Sequence, residues 1–67
     1  MHEYKIRFSY FLEQSGKQIY EYEYATCTTV REAVESMKDA YSDLSRLKIE
    51  QIWIDRNNRW EIIEWED

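Results

Sequence analysis

The chain has 67 residues and a mass of 8.3 kDa, enough for one small domain that buries about 60% of the surface its unfolded form exposes. Fourteen Asp and Glu against nine Lys and Arg give a formal charge of −5, which disfavours non-specific binding to nucleic acid or anionic membranes. Cys27 is the only cysteine, which excludes a secreted scaffold held by internal disulfides. No hydrophobic run has the length of a signal peptide or a membrane span, so we expect a cytoplasmic protein.

Two runs of alternating apolar and polar residues predict a first β-hairpin. The alternation covers residues 3–12 and again residues 18–26, which is typical of half-buried strands. Gly16, the single glycine of the chain, lies between the two runs and can adopt the left-handed conformation that a tight turn requires.

The length of the hairpin loop decides which face the tyrosines occupy. A two-residue loop would bring Glu21 and Glu23 to the apolar face of the first strand. A three-residue loop over residues 14–16 instead aligns aromatic with aromatic residues and opposite charges with each other, at roughly 0.2–1 kcal/mol per pair. We therefore expect the three-residue loop. Its apolar pairs are Tyr10 with Tyr20, Phe8 with Tyr22, and Ile6 with Tyr24.

A change of period after Cys27 predicts a helix. Thr29 and Glu32 form a capping box, in which each side chain satisfies a backbone donor at the helix start. Apolar residues then recur every three or four positions, which predicts roughly four turns ending near Ser45. The other side of the helix is an acidic stripe with mildly repulsive neighbours at four-residue spacing. The stripe consists of Glu32, Glu35, Asp39 and Asp43.

The C-terminal third predicts a second hairpin, with strands over residues 47–55 and 59–65. Arg56, Asn57 and Asn58 are the expected loop, with Asn58 left-handed. Apolar residues occupy both parities of these strands, so the hairpin is apolar on both faces. A β-bulge near Glu50 or Ile63 would switch the alternation, and the sequence leaves both positions open.

The element order β-β-α-β-β predicts a single α+β domain over residues 1–67. One helix stripe can cover one face of a four-stranded, mainly antiparallel sheet, which gives a two-layer sandwich. The order of the strands within the sheet is left open.

No residue pattern predicts catalysis, a metal or a cofactor. Cys27 precedes a helix, but His2, the only histidine, is almost terminal, so a Cys-His dyad is not expected. No pair of His or Cys residues has metal-ligand spacing, and no EF-hand or glycine-rich phosphate loop occurs. We therefore expect a non-enzymatic protein.

The uncovered apolar residues of the second hairpin predict a protein-interaction module. Its partner is expected to be a basic protein or a second copy of the chain. The predicted docking surface combines tryptophan anchors with carboxylates that steer the encounter. Its members are Trp53, Trp60, Trp65, Glu61, Glu64, Glu66, Glu32, Glu35, Asp39 and Asp43.

Two alternatives stay open beside this interaction module. The acidic helix could imitate nucleic-acid phosphates and inhibit a nucleic-acid-handling protein, a role played by small acidic proteins of phages and mobile elements. Alternatively, aromatic residues on the sheet could stack the bases of a single strand. The sequence argues against this direct binding, since Arg56 and Arg59 are its only concentration of basic residues.

Overall fold

The structure, a computed structural model, describes residues 1 to 65. The four strands form one sheet in which all neighbours are antiparallel, and the order across the sheet is second, first, third and fourth strand of the chain. This confirms the predicted α+β class, with one four-stranded sheet and one helix, and it places the first and third strands at the centre. The elements are β1 (His2–Leu12), β2 (Lys17–Cys27), α1 (Val30–Ala40), β3 (Ser45–Arg56) and β4 (Arg59–Ile63).

The core lies between α1 and one face of the sheet, which we call the covered face. Alternate residues of a strand point to the same side, so β1 and β3 each contribute every second side chain. The helix contributes Ala33, Val34 and Met37, whose spacing places them on one apolar stripe. The buried apolar side chains are Tyr4, Ile6, Phe8, Ile52, Ile54, Ala33, Val34 and Met37.

The helix begins where the sequence predicts and ends earlier. The Glu32 amide donates to Oγ1 of the N-cap residue Thr29 at 3.2 Å, and the Glu32 carboxylate accepts from the Thr28 amide at 3.2 Å. The expected end near Ser45 was wrong, because α1 stops at Ala40 and the chain turns over residues 41–44. That turn is needed to enter β3, which begins at Ser45.

The register of the first hairpin differs from the prediction by one residue. Leu12 pairs with Lys17, so the loop comprises residues 13–16 rather than 14–16. Gly16 is left-handed as expected, with φ +69°, and its amide donates to the Leu12 carbonyl at 2.8 Å. A one-residue shift turns every side chain of a strand to the other face. The tyrosines of β2 therefore leave the covered face, and Glu21 and Glu23 replace them.

The covered face accepts these two glutamates because β2 is an edge strand. Tyr41, at the end of α1, donates a hydrogen bond to Oε2 of Glu23. Partial burial, and then the charge and hydrogen bond of Glu21, raise the pKa of Tyr10. Two tyrosine hydroxyls thus meet the two carboxylates at the margin of the core. The expectation of a uniformly apolar face was wrong at this margin, where polar groups find partners.

The Tyr41 hydrogen bond predicts a pH dependence of stability. The bond to Glu23, together with burial and the charges of Glu23 and Glu21, raises the pKa of Tyr41 from 10.0 to about 12. A pKa raised on folding contributes stability that is fully present below pH 10 and lost as the pH rises towards 12. As the pH rises across this window, the free energy of unfolding of the Tyr41→Phe variant should therefore fall less than that of the wild type. Urea denaturation at each pH measures the difference, and identical slopes for both proteins would contradict the assignment.

The second hairpin turns on two residues rather than three. Arg56 pairs with Arg59, which leaves Asn57 and Asn58 as the loop. Both asparagines are left-handed, with φ +52° and +62°, as a type I′ turn requires. The prediction for Asn58 is confirmed, and the inclusion of Arg56 in the loop was wrong. A three-residue loop would have paired Asp55 with Arg59, but with the shorter loop Asp55 pairs with Trp60 instead.

Because Asn58 has a left-handed backbone conformation, we expect that conformation to decide which residues can replace it. Asn58→Val should lower the free energy of unfolding by about 1–2 kcal/mol, because a β-branched residue with positive φ brings its Cβ too close to the backbone. Asn58→Gly is the matched control and should leave stability equal or slightly higher, since Gly favours this position of the turn. Urea denaturation midpoints compare the two, and a Val variant as stable as the Gly variant would contradict the type I′ geometry.

A bulge at Glu50 resolves the choice that the sequence left open. Arg7 pairs with Gln51 but Phe8 pairs with Ile49, so Glu50 has no partner on β1. The extra residue returns Ile49 to the covered face, where it packs partly buried against the core. This explains why Leu47 and Ile49, which precede the bulge in β3, lie on the helix side.

Candidate functional site

The sheet face opposite α1, which we call the open face, is the candidate functional site. None of the helices and strands described for residues 1–65 packs on it, and register places alternate residues of all four strands there. Tyr20, Tyr22 and Tyr24 are 52%, 53% and 57% exposed. The principal residues of the open face are Lys5, Arg7, Ser9, Phe11, Gln18, Tyr20, Tyr22, Tyr24, Arg46, Lys48, Gln51, Trp53, Trp60 and Ile62.

Lys5 is the centre of the larger aromatic cluster on this face. Its Nζ lies 4.6 Å from the ring centroid of Trp53, 5.2 Å from that of Trp60 and 5.7 Å from that of Tyr22. Tyr22 also contacts Trp53, with centroids 6.2 Å apart. A cation over an aromatic face at an exposed site contributes about 0.5–1 kcal/mol. The side chains of four strands are therefore tied together around one ammonium group.

Two further cations lie against rings on the same face. The guanidinium carbon of Arg7 is 5.1 Å from the Tyr20 centroid, and that of Arg46 is 4.8 Å from the Phe11 centroid. Lys48 pairs with Ser9 in the sheet and so shares this face. Basic and aromatic side chains thus alternate along the open face, although no basic cluster is visible in the sequence.

The open face also carries carboxylates: Glu50 lies near its centre, and Glu3 and Asp55 lie towards one end. Glu50 accepts a hydrogen bond from the buried Ser9 hydroxyl at 2.8 Å, and Gln18 donates to the same hydroxyl oxygen at 3.2 Å. Glu3 and Asp55 lie towards the end of the sheet that carries the β3–β4 turn. Within the described residues, no ion pair joins Lys5 or Arg7 to a carboxylate.

The acidic excess lies on the other side of the molecule. Glu21, Glu23 and Glu61 are at the margins of the covered face, and the acidic stripe is on α1. The helix packs on the covered face, so the sheet lies between the stripe and the open face, and salt screens exposed charges beyond a Debye length of about 8 Å at physiological ionic strength. The net charge of −5 therefore says little about the potential at the open face.

The predicted tryptophan site divides between the two faces. Trp53 and Trp60 lie on the open face, opposite Ile62 and Asp55 respectively. Trp65 instead packs partly buried against the core, and its indole Nε1 is buried without a hydrogen-bond partner among the described residues.

The predicted C-terminal carboxylates do not accompany the exposed tryptophans. Glu61 is on the covered face opposite Ile54, with Oε2 3.7 Å from Nη1 of Arg56. Glu64 is exposed beyond the end of β4. Glu66 lies outside the described residues.

The acidic stripe of α1 is separated from Trp53 and Trp60 by the sheet. Glu32 serves as a helix cap, and the Oε1 atom of Glu35 lies 4.0 Å from Nε of Arg31. Asp39 and Asp43 are exposed. The nine predicted docking residues that the structure describes therefore do not form one surface.

Two further features of the described residues, a cleft and Cys27, bear on catalysis or ligand binding. A cleft of about 340 Å³ opens beside β3 where β4 ends, lined by apolar residues with Glu50, Gln51, Glu64 and Trp65. It contains no His, Cys or Ser. Cys27 packs partly buried against the core, and residues 1–65 contain no group of three or more potential metal ligands. No helix in that range is long and apolar enough to cross a membrane.

Comparison with models of protein families, with curated proteins and with solved structures finds no match to this chain.

Proposed function

We propose that this protein is a small, non-enzymatic binding module that acts in the cytoplasm and binds its partner across the open face. The proposal keeps the interaction role expected from the sequence and moves the surface from the acidic residues to the aromatic and basic ones. Its main support is the exposure of three tyrosines and Trp60 on one face, beside Lys5 and Arg7. The cytoplasmic location rests on the single cysteine.

The composition of the open face supports binding more than solubility. Trp, Tyr and Arg supply most of the binding energy at macromolecular interfaces, whereas exposed aromatic clusters are uncommon on monomers without such a role. The cation–ring contacts also limit side-chain freedom before binding, because Lys5 lies over three rings and Arg7 lies over Tyr20. A preorganised surface loses less entropy when it is covered.

Affinity capture with the full chain tests this proposal. The wild type should retain a host macromolecule that the open-face variant Tyr20→Thr/Tyr22→Thr/Tyr24→Thr does not retain, since removal of the rings removes the contact area. Thr is chosen because it keeps β-strand propensity at exposed strand positions. Circular dichroism confirms that the variant is folded.

A helix variant is the matched control for this capture. Glu35→Gln/Asp39→Asn/Asp43→Asn changes three exposed side chains on the far side of the molecule, and it should retain the same macromolecule as the wild type. Loss of capture in this variant, with retention by the open-face variant, would overturn the proposal and favour the phosphate-mimic alternative.

A further inference from the structure

We propose that the partner of the open face is single-stranded nucleic acid, an inference that rests on the proposed function of this face. Stacking of bases on exposed rings and neutralisation of phosphates by cations are the two contacts that non-sequence-specific single-strand binders combine. The open face carries both within one surface.

The tyrosines of β2 are spaced for unstacked bases. Tyr20, Tyr22 and Tyr24 occupy alternate positions of one strand, so their attachment points on the backbone are about 6.6–6.8 Å apart along it. Stacked bases of a duplex are 3.4 Å apart, too close for each to meet its own ring. A single strand can spread its bases to this spacing, whereas a duplex keeps their faces paired and covered. All three rings are more than half exposed.

The cations lie where the phosphates of such a strand would run. Lys5 and Arg7 are on β1, the strand next to the tyrosines, and neither is paired with a described carboxylate. In the free protein they lie over the rings of Tyr22 and Tyr20. A phosphate can attract each cation away from its ring, and a base can then take the uncovered aromatic face. Lys48 and Arg46 extend the basic positions towards the start of β3.

A second copy of the chain and an apolar protein surface fit the open face less well than nucleic acid does. In a two-fold dimer through the open face, Lys5 and Arg7 of the two copies would approach each other, and neither cation is paired with a described carboxylate within one copy. An apolar protein surface would bury Lys5 and Arg7 unpaired, which carries a desolvation penalty. Nucleic acid supplies one negative charge for each cation and a flat ring for each tyrosine, so charge complementarity favours it.

Fluorescence anisotropy with labelled oligonucleotides tests the inference. The probes are oligo(dT) and oligo(rU) of about ten nucleotides, a length within the range for single-strand binding domains, and a duplex of equal length. The wild type should bind both single strands saturably and the duplex more weakly. Because three or four cations contact phosphate, log K should fall against log salt with a slope of about −2 to −3.

Two open-face variants show whether a loss of binding comes from lost stacking or from a disturbed fold. Tyr22→Thr/Tyr24→Thr should weaken binding of the single strands about tenfold for each ring removed, while Tyr22→Phe/Tyr24→Phe keeps the rings and should bind within about threefold of wild type. The control Glu35→Gln/Asp39→Asn should bind as the wild type does.

The outcomes distinguish this inference from the proposed function. Absence of saturable binding to either oligonucleotide, or unchanged binding by the folded Thr variant, overturns the inference. If a host protein is still captured by the wild type and lost from the open-face variant, the proposed function stands with a protein as partner. If no oligonucleotide binds saturably and nothing captured depends on the open face, both fail.

Discussion

Replacing Phe8 with Ala should remove a large part of the free energy of unfolding. Phe8 is fully buried at the centre of the covered face, and its ring lies 4.8 Å from that of Tyr41 and 6.2 Å from that of Tyr10. Truncation of a buried Phe to Ala costs about 3–5 kcal/mol. A domain of 67 residues has a total stability of about 3–10 kcal/mol. The loss is therefore comparable with the whole free energy of unfolding.

Circular dichroism with urea denaturation measures this effect. Leu12→Ala is the control, because Leu12 is 39% exposed at the end of the same strand and its truncation should cost less than about 1 kcal/mol. Equal losses for the two variants would contradict the position of the core between β1 and α1.

Reversing the charge of Lys5 and Arg7 should remove most single-strand binding. The double variant Lys5→Glu/Arg7→Glu loses two phosphate partners and places two carboxylates in the path of the strand. Like charges facing each other across an interface cost several kcal/mol, so we expect binding at least about 100-fold weaker. The same change removes the cations that lie over Tyr22, Trp53 and Tyr20.

A variant of identical net charge is the control for this reversal. Lys17→Glu/Arg31→Glu changes two exposed cations away from the open face. Lys17 pairs with Leu12, so it points to the side of the sheet that α1 covers, and Arg31 is on α1 itself. Anisotropy at fixed salt should show affinity near that of wild type. Equal weakening by both double variants would mean that net charge alone governs binding.

The elements of this fold are predictable from the sequence, whereas the pairing of its strands is not. Period, capping residues and turn residues located all four strands and the start of the helix. Both hairpin registers were wrong by one residue, because alternation looks the same in either register and only the loop separates them. The decisive premise was that Glu21 and Glu23 could not lie on the covered face. At an edge strand they can, since Tyr41 reaches Glu23.

The same difference between alternation and register explains why only part of the candidate site could be predicted from the sequence. Lys5 and Arg7 occupy the polar parity of β1, so their position away from the core was predictable. The tyrosines of β2 were placed beside Phe8 by the incorrect register and thus counted as core. Trp65 was grouped with Trp53 and Trp60, but β4 ends at Ile63 and the following chain packs Trp65 against the core. No local signal reports where a strand stops pairing.

The indole signals of the three tryptophans test the central proposal most directly. In a ¹H–¹⁵N correlation spectrum of the full chain titrated with oligo(dT), the Nε1–H resonances of Trp53 and Trp60 should shift, together with the backbone amides of Lys5 and Tyr22. The resonance of Trp65, which lies on the helix side, should stay in place. Shifts confined to Trp65 and to the residues of α1, with Trp53 and Trp60 unchanged, would contradict binding at the open face.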